Sequence, residues 1–272
     1  MPISAERMSI EQIRPEAPPK IRVRGLKKAF GGQVVLDGVD LDVMPGESVA
    51  LIGRSGSGKS VLAKCILGLI APDAGTIELD GVDLWSMSRA DRAQAMTRFG
   101  VLFQAGALFD SLLVWQNIAF TLTSARGWKA GPAKQLAIER LADVGMDAAV
   151  ADLFPAELSG GMQKRVAFAR AIAAKPEIVV LDDPTAGLDP IVTAAISKLI
   201  DKIIRDANTT ALTITQDLTV IKLIANRVAM LHDGRIIWTG PAQQVTHSGN
   251  DYVDQFIHGR RKGPIAVDVA AA

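Results

Sequence analysis

The chain has 272 residues, 49% of them apolar, enough to bury the core of one large domain or of one domain with a small lobe. Its 30 basic and 29 acidic residues leave a formal net charge of +1, which removes any general electrostatic case for a nucleic-acid partner. A single cysteine excludes an internal disulfide framework and fits a reducing compartment, and no apolar run reaches the ~18–20 residues a membrane-spanning helix needs. The opening segment, "MPISAERMSIEQIRPEAPP" over residues 1–19, carries charges where a signal peptide needs its apolar centre, so it reads as a polar leader. Alternation in "KIRVRGLKKAF" and "QVVLDGVDLDV" predicts two strands of a half-solvated sheet joined by a Gly-Gly turn. "SVALIG" reads as a compact buried strand, followed by a glycine-rich loop and a helix over Leu62–Leu69. Cys65 lies at apolar spacing in that helix and is expected to pack. "GTIELDG" is a further short strand. Residues 112–150, with "LLVWQNIAFTLTSA" and "PAKQLAIERLADVG", have helical spacing and suggest an α-helical insert. After it come a helix from Ser159, a strand over Ile178–Leu181, a helix over Pro190–Ile204, the strand "TTALTIT", the hairpin "RVAMLHDGRIIWTG" and a tail over 241–272 that frays at "AVDVAAA". Strand–helix alternation of this kind predicts an α/β sheet covered on both faces.

The loop after "SVALIG" reads "GRSGSGKS" over residues 53–60 and fits G-x-x-x-x-G-K-[ST] between a strand and a helix. Gly53, Gly56 and Gly58, with Ser55 between them, let the backbone curl until successive N–H groups form an anion nest at a helix start. Lys59 can reach β- and γ-phosphates and the Ser60 hydroxyl can ligate Mg²⁺. This is a site for a nucleoside triphosphate, ATP being the expected one. A second strand should then supply the aspartate that holds Mg²⁺, and Asp182, closing the apolar run "IVVL", is placed to do so. At residues 157–165, "ELSGGMQKR" puts Ser159, Gly160 and Gly161 at the positive end of another helix dipole. One chain thus carries two phosphate-binding surfaces, and a triphosphate could be gripped from both sides if two copies pack head to tail.

With these motifs in place, residues 20–240 resemble the nucleotide-binding subunit of ABC transporters. The resemblance implies a P-loop NTPase of the ABC ATPase type: a mixed-sheet α/β core with an antiparallel β lobe and a helical subdomain at about 105–165. It also implies roles. Phe30 looks like the aromatic that stacks on adenine, and Gln104 in "LFQAGALFD" like the glutamine that touches Mg²⁺ and senses the membrane partner. "LSGG" is the family signature, and Asp189 in "AGLDP" looks like the aspartate of the dimer interface. A finer resemblance, in "FQAGALFDSLLVWQNIAF" and the tail "YVDQFIHGRRKGP", is to the ATPase of Mla-type, Mce-linked lipid transport systems. It implies a homodimer at the cytoplasmic face of the inner membrane, bound to integral-membrane permease subunits, with an Mce-domain lipid-binding partner. Phe256 and Ile257 in the tail are expected at the dimer contact.

Two positions depart from the family pattern. The residue after the Mg²⁺ aspartate is usually a glutamate that polarises the attacking water; here it is Asp183. The switch histidine is replaced by Gln216 in "TITQD", and the histidines His232, His247 and His258 are expected at the surface or in turns. Asp183 keeps the charge with its carboxylate drawn back by roughly 1–1.5 Å, where ~1 Å of misplacement can cost about 100-fold. Gln216 can donate to a γ-phosphate but cannot become cationic. Three readings follow: the ATPase of a lipid transporter, the ATPase of an importer for an amino acid or metal ion, and an ATP-gated clamp of slow turnover.

Overall fold

The computed structural model describes residues 18–104 and 106–266; most of the expected leader and the last six residues lie outside that range. Two long antiparallel strands open the described chain, β1 (Ile21–Phe30) and β2 (Gln33–Val43), joined by Gly31 and Gly32 in left-handed backbone. β3 (Ser48–Ile52) runs straight into the glycine loop and α1 (Lys59–Ile66). β4 (Ala74–Leu79), β5 (Val82–Asp83), α2 (Arg89–Met96) and β6 (Phe99–Leu102) follow. The helical insert is α3 (Val114–Ile118), α4 (Phe120–Ser124) and α5 (Ala130–Asp143), with short 3₁₀ turns at Ala148–Asp152 and Pro155–Glu157. The chain then forms α6 (Gly160–Ile172), β7 (Ile178–Asp182), α7 (Pro190–Asp206), β8 (Thr210–Ile214) and α8 (Leu218–Ile224). It closes with the hairpin β9 (Arg227–His232) and β10 (Arg235–Pro241) and with α9 (Asp251–His258).

The strands form two sheets. β2-β1-β4-β5 is antiparallel throughout, and β10-β9-β3-β8-β7-β6 is parallel except for its edge strand β10. Strands of the second sheet read as continuous apolar runs because both faces are covered. Along β7, Ile178 and Val180 face the core shared with the antiparallel sheet and α1, while Val179 and Leu181 face α6 and α7. This parallel order sets the site. β8 lies between β3 and β7, so the loop after β3 and the carboxylates ending β7 emerge at one sheet edge with the exit of β8 between them.

The expected strands and helices are present, but the sequence reading did not identify β5, α2, β6, α8 or α9. β6 supplies only four residues and pairs solely with β7, too short to show a period. The tail also differs from a solvated end. α9 starts under an Asn250 cap and buries Val253 fully, with Ile265 beyond it, against Ala50, Ile52 and Met230. Phe256 and Ile257 are partly buried on the same cluster, so their apolar character is already engaged within the chain.

Candidate nucleotide site

The glycine loop is shaped by close approaches. Gly53 passes the end of β9 so tightly that a Cβ there would lie 2.2 Å from the Leu231 carbonyl oxygen, and at Gly58 it would meet Leu36 Cδ2 at 2.9 Å. Gly53, Gly56 and Gly58 adopt φ of 146°, 78° and 101°, backbone that a side chain would strain. α1 therefore begins with no side-chain cap and no acidic residue in its first turn, leaving its N–H groups and positive dipole end directed into the loop. Lys59 is 7% exposed, and its ammonium donates to the Gly53 and Arg54 carbonyls, both at 2.7 Å. Burial lowers its pKa, and the facing charges of Asp183 and Asp182 oppose that shift.

Across the cleft, β7 delivers Asp182 with one carboxylate oxygen 3.5 Å from the Ser60 hydroxyl. Asp183 follows at φ 44°, a left-handed conformation that a short aspartate tolerates better than most residues. Its N–H donates to the Ile214 carbonyl at 2.8 Å and its own carbonyl accepts from Ala186 at 3.1 Å, so the strained residue is pinned on both sides. Burial raises the pKa of both carboxyls; for Asp183 the neighbouring Asp182 raises it further, against Lys59 and Lys164. Gln216 leaves β8 beside them, exposed, behind Thr215, whose hydroxyl accepts from the Asp217 N–H.

These groups line one cleft of about 220 Å³: Ser55, Gly56, Gly58, Lys59 and Ser60 on one wall, Asp182, Asp183, Gln104 and Gln216 on the other. Val35 of β2 also lines it, a contact that no sequence pattern announced. Phe30 lies apart from that lining. It is 46% exposed at the end of β1, with Lys28 Nζ 5.3 Å from its ring centre. Gly53 shapes the loop from beneath. Ser159, Gly160 and Gly161 also stand outside the cleft, on the solvent-facing start of α6, where the Ser159 hydroxyl accepts from the Met162 N–H at 3.3 Å. Asp189 is exposed and caps α7, accepting from the Ile191 and Val192 N–H groups at 2.9 and 3.0 Å. Cys65 is fully buried behind the loop, where burial pushes its thiol up to about 11.

A glycine loop opening on an uncapped helix start, a buried lysine and a strand-end carboxylate define a P-loop nucleotide-hydrolysing site. The family model for ABC transporters matches residues 36–186. The chain is 38% identical over 247 residues to the probable ribonucleotide transport ATP-binding protein mkl of Mycobacterium leprae, covering 91% of this chain and 71% of that protein. It is 35% identical over 245 residues to the intermembrane phospholipid transport system ATP-binding protein MlaF of Haemophilus influenzae, covering 90% and 92% of the two chains. A dimeric ATP-binding cassette solved in a post-hydrolysis state with ADP and Pᵢ superposes with a TM-score of 0.75 at 28% identity, over 82% of this chain and 98% of that one. The protein belongs to the ABC transporter family and is an ATP-binding, ATP-hydrolysing subunit of that family.

Proposed function

We propose that this ATPase powers a transporter of phospholipid or another lipid across a bacterial envelope, acting as a head-to-tail homodimer beneath integral-membrane permease subunits. The observation that carries the dimer is the separation of its two phosphate-binding surfaces. The cleft holds one, and the solvent-facing start of α6 holds the other, with no partner among the described residues. Ser159, Gly160 and Gly161 then close over the γ-phosphate in the partner's cleft, and the exposed Asp189 stands at the contact. The lipid reading rests on the end-to-end likeness to the phospholipid-transport relative and on the "QFIHG" tail. In this reading the subunit is attached through the permease at the cytoplasmic face, where an Mce-domain protein would complete the system; no helix among the described residues is long and apolar enough to cross a membrane.

The donor set fits Mg²⁺ carried in with the nucleotide. The Ser60 hydroxyl, the Asp182 carboxylate and the Gln104 amide are hard oxygen ligands, and the two carboxyls, raised by burial, gain from a nearby cation. No cluster of three or more His, Cys, Asp or Glu side chains able to hold a metal occurs among the described residues. Held by Ser60, Asp182 and Gln104, the ion would supply positive charge against the negative charge of the phosphates. Lys59 orients those phosphates, Asp183 takes the proton of the attacking water and Gln216 donates to the γ-phosphate. Phe30, exposed at the rim, offers an aromatic face for adenine.

Phe103, Phe109, Phe120 and Arg170 line a separate groove of about 360 Å³ beside the helical insert. Ser159→Arg tests the two-sided grip. It should abolish ATP hydrolysis and MgATP-driven dimerisation in sedimentation while the dilute monomer binds nucleotide with unchanged affinity. Equal loss of binding and turnover would place Ser159 in its own chain's site and remove the head-to-tail reading.

A further inference from the structure

One flank of α6 meets the chain leaving β6 at several successive points. Lys164 is 9% exposed, and its ammonium donates to the Gln104 carbonyl. Two turns on, the Arg170 guanidinium donates to the Gly106 and Ala107 carbonyls, each at 2.7 Å. Between the two cations, the Cβ that Gly106 lacks would sit 3.7 Å from the Ala167 methyl, so the backbone lies flat on the helix. Gly100 in β6 is closer still, since a Cβ there would fall 2.1 Å from the Ala171 carbonyl oxygen. Arg170 also lies 5.9 Å from the centre of the Phe109 ring, which stacks on Phe120 with centroids 4.6 Å apart.

Burying a lysine is unfavourable unless its charge and protons are used, and Lys164 is buried on the flank of α6 that packs on the chain leaving β6. Here one proton goes to the Gln104 carbonyl, and the charge faces the Asp182–Asp183 pair. We infer that Lys164 and Arg170 are positioning residues that clamp the Gln104 segment to α6, so that each copy of α6 links two nucleotide sites. Its start grips the partner's ATP while its flank sets where Gln104 stands in its own cleft. Occupancy of one site then favours closure of the other, and the aromatic groove feeds into the same clamp through Arg170. The inference rests on the head-to-tail reading above.

The experiment compares the full chain with Lys164→Met and Lys164→Arg. Hydrolysis is measured against MgATP concentration, and hydrogen exchange at the Gly106 amide, which donates to the Phe103 carbonyl at 2.7 Å, is followed in the dilute monomer. The wild type should show a Hill coefficient approaching about two, the ceiling for two sites, and Lys164→Met one near unity with about tenfold lower kcat. Monomer nucleotide affinity should hold within about twofold, and Lys164→Arg should restore most of the cooperativity. Exchange at the Gly106 amide should rise about tenfold in Lys164→Met, because the clamp is internal to one chain. An unchanged Hill coefficient in Lys164→Met overturns the link between sites, and unchanged exchange overturns the clamp. A non-cooperative wild type also overturns the link; sedimentation with MgATP then shows whether the dimer failed with it or stands without it.

Discussion

At the residue scale, Asp183 is the position where chemistry and backbone compete. Its carboxylate is one methylene shorter than the family glutamate, while φ 44° and the bond to Ile214 hold its Cα in a conformation suited to aspartate. Asp183→Asn should preserve ATP binding and lower Pᵢ release by about 100-fold or more, because an amide cannot take the water's proton. Asp183→Glu should raise turnover by up to about tenfold if reach limits the rate, with Gln216→His non-additive because the two side chains share one cleft. Unchanged Pᵢ release in Asp183→Asn would remove Asp183 as the base. Lys59, Ser60 and Asp182 were legible in sequence because a P-loop and a strand-end carboxylate have recognisable patterns, whereas Gln104, Asp183 and Gln216 took their roles only from the family resemblance. Lys164 was not legible. In "GMQKRV" it reads as one polar residue among several, and only the packing of α6 against β6 turns it inward.

At the element scale, α9 shows how a basic, polar-looking tail becomes part of the domain. Gln255 is 4% exposed and stitches the returning chain: its amide donates to the Arg260 and Ile265 carbonyls at 3.2 and 3.0 Å, and its oxygen accepts from the Ile265 N–H at 2.7 Å. That return also brings the Ala266 carbonyl to Arg54 of the glycine loop, at 2.8 Å. Gln255→Ala leaves those groups without partners and should cost about 2–3 kcal/mol. The melting temperature should then fall by about 5–10 °C for a domain of this size. A thermal melt shifted by less than a degree would mean that the tail is held by Val253 and Ile265 alone. The periodicity of "DYVDQFIH" was visible but spans only eight residues, and its apolar face found meaning only once β3 and β9 supplied a surface.

At the scale of the whole molecule, two sheets must be held in register so that the glycine loop and the β7 carboxylates face each other. Lys20, entering β1, and Arg98, entering β6, both bind Asp80 and Glu177, joining the antiparallel sheet to the starts of β6 and β7. Bonds from Arg98 and then Lys20 hold the Glu177 carboxyl down at about 2. A depressed folded-state pKa stabilises the native protein above the unfolded carboxyl value and loses that contribution as pH falls towards the folded one. Glu177→Gln should therefore melt below the wild type at neutral pH, by a modest margin because the carboxylate is half-exposed. The two melting curves should converge as pH drops from about 4.5 to about 2. A constant offset across that window would assign the effect to packing. Alternation foretold strands in a covered α/β sheet and the family resemblance implied a separate antiparallel lobe, but this four-residue junction is scattered over positions 20, 80, 98 and 177, and nothing local in the sequence links them.

The central claim, that one ATP is held between two copies of this chain, is tested most directly by mixing two inactive variants. Lys59→Ala disables the cleft of one copy and Ser159→Arg the α6 start of the other. A dimer built from one of each keeps one intact composite site, made from the cleft of the Ser159→Arg chain and the α6 start of the Lys59→Ala chain. Randomly paired, the mixture should hydrolyse ATP at up to about a quarter of the wild-type rate while either variant alone stays inactive. A mixture as inactive as its parents would contradict the account.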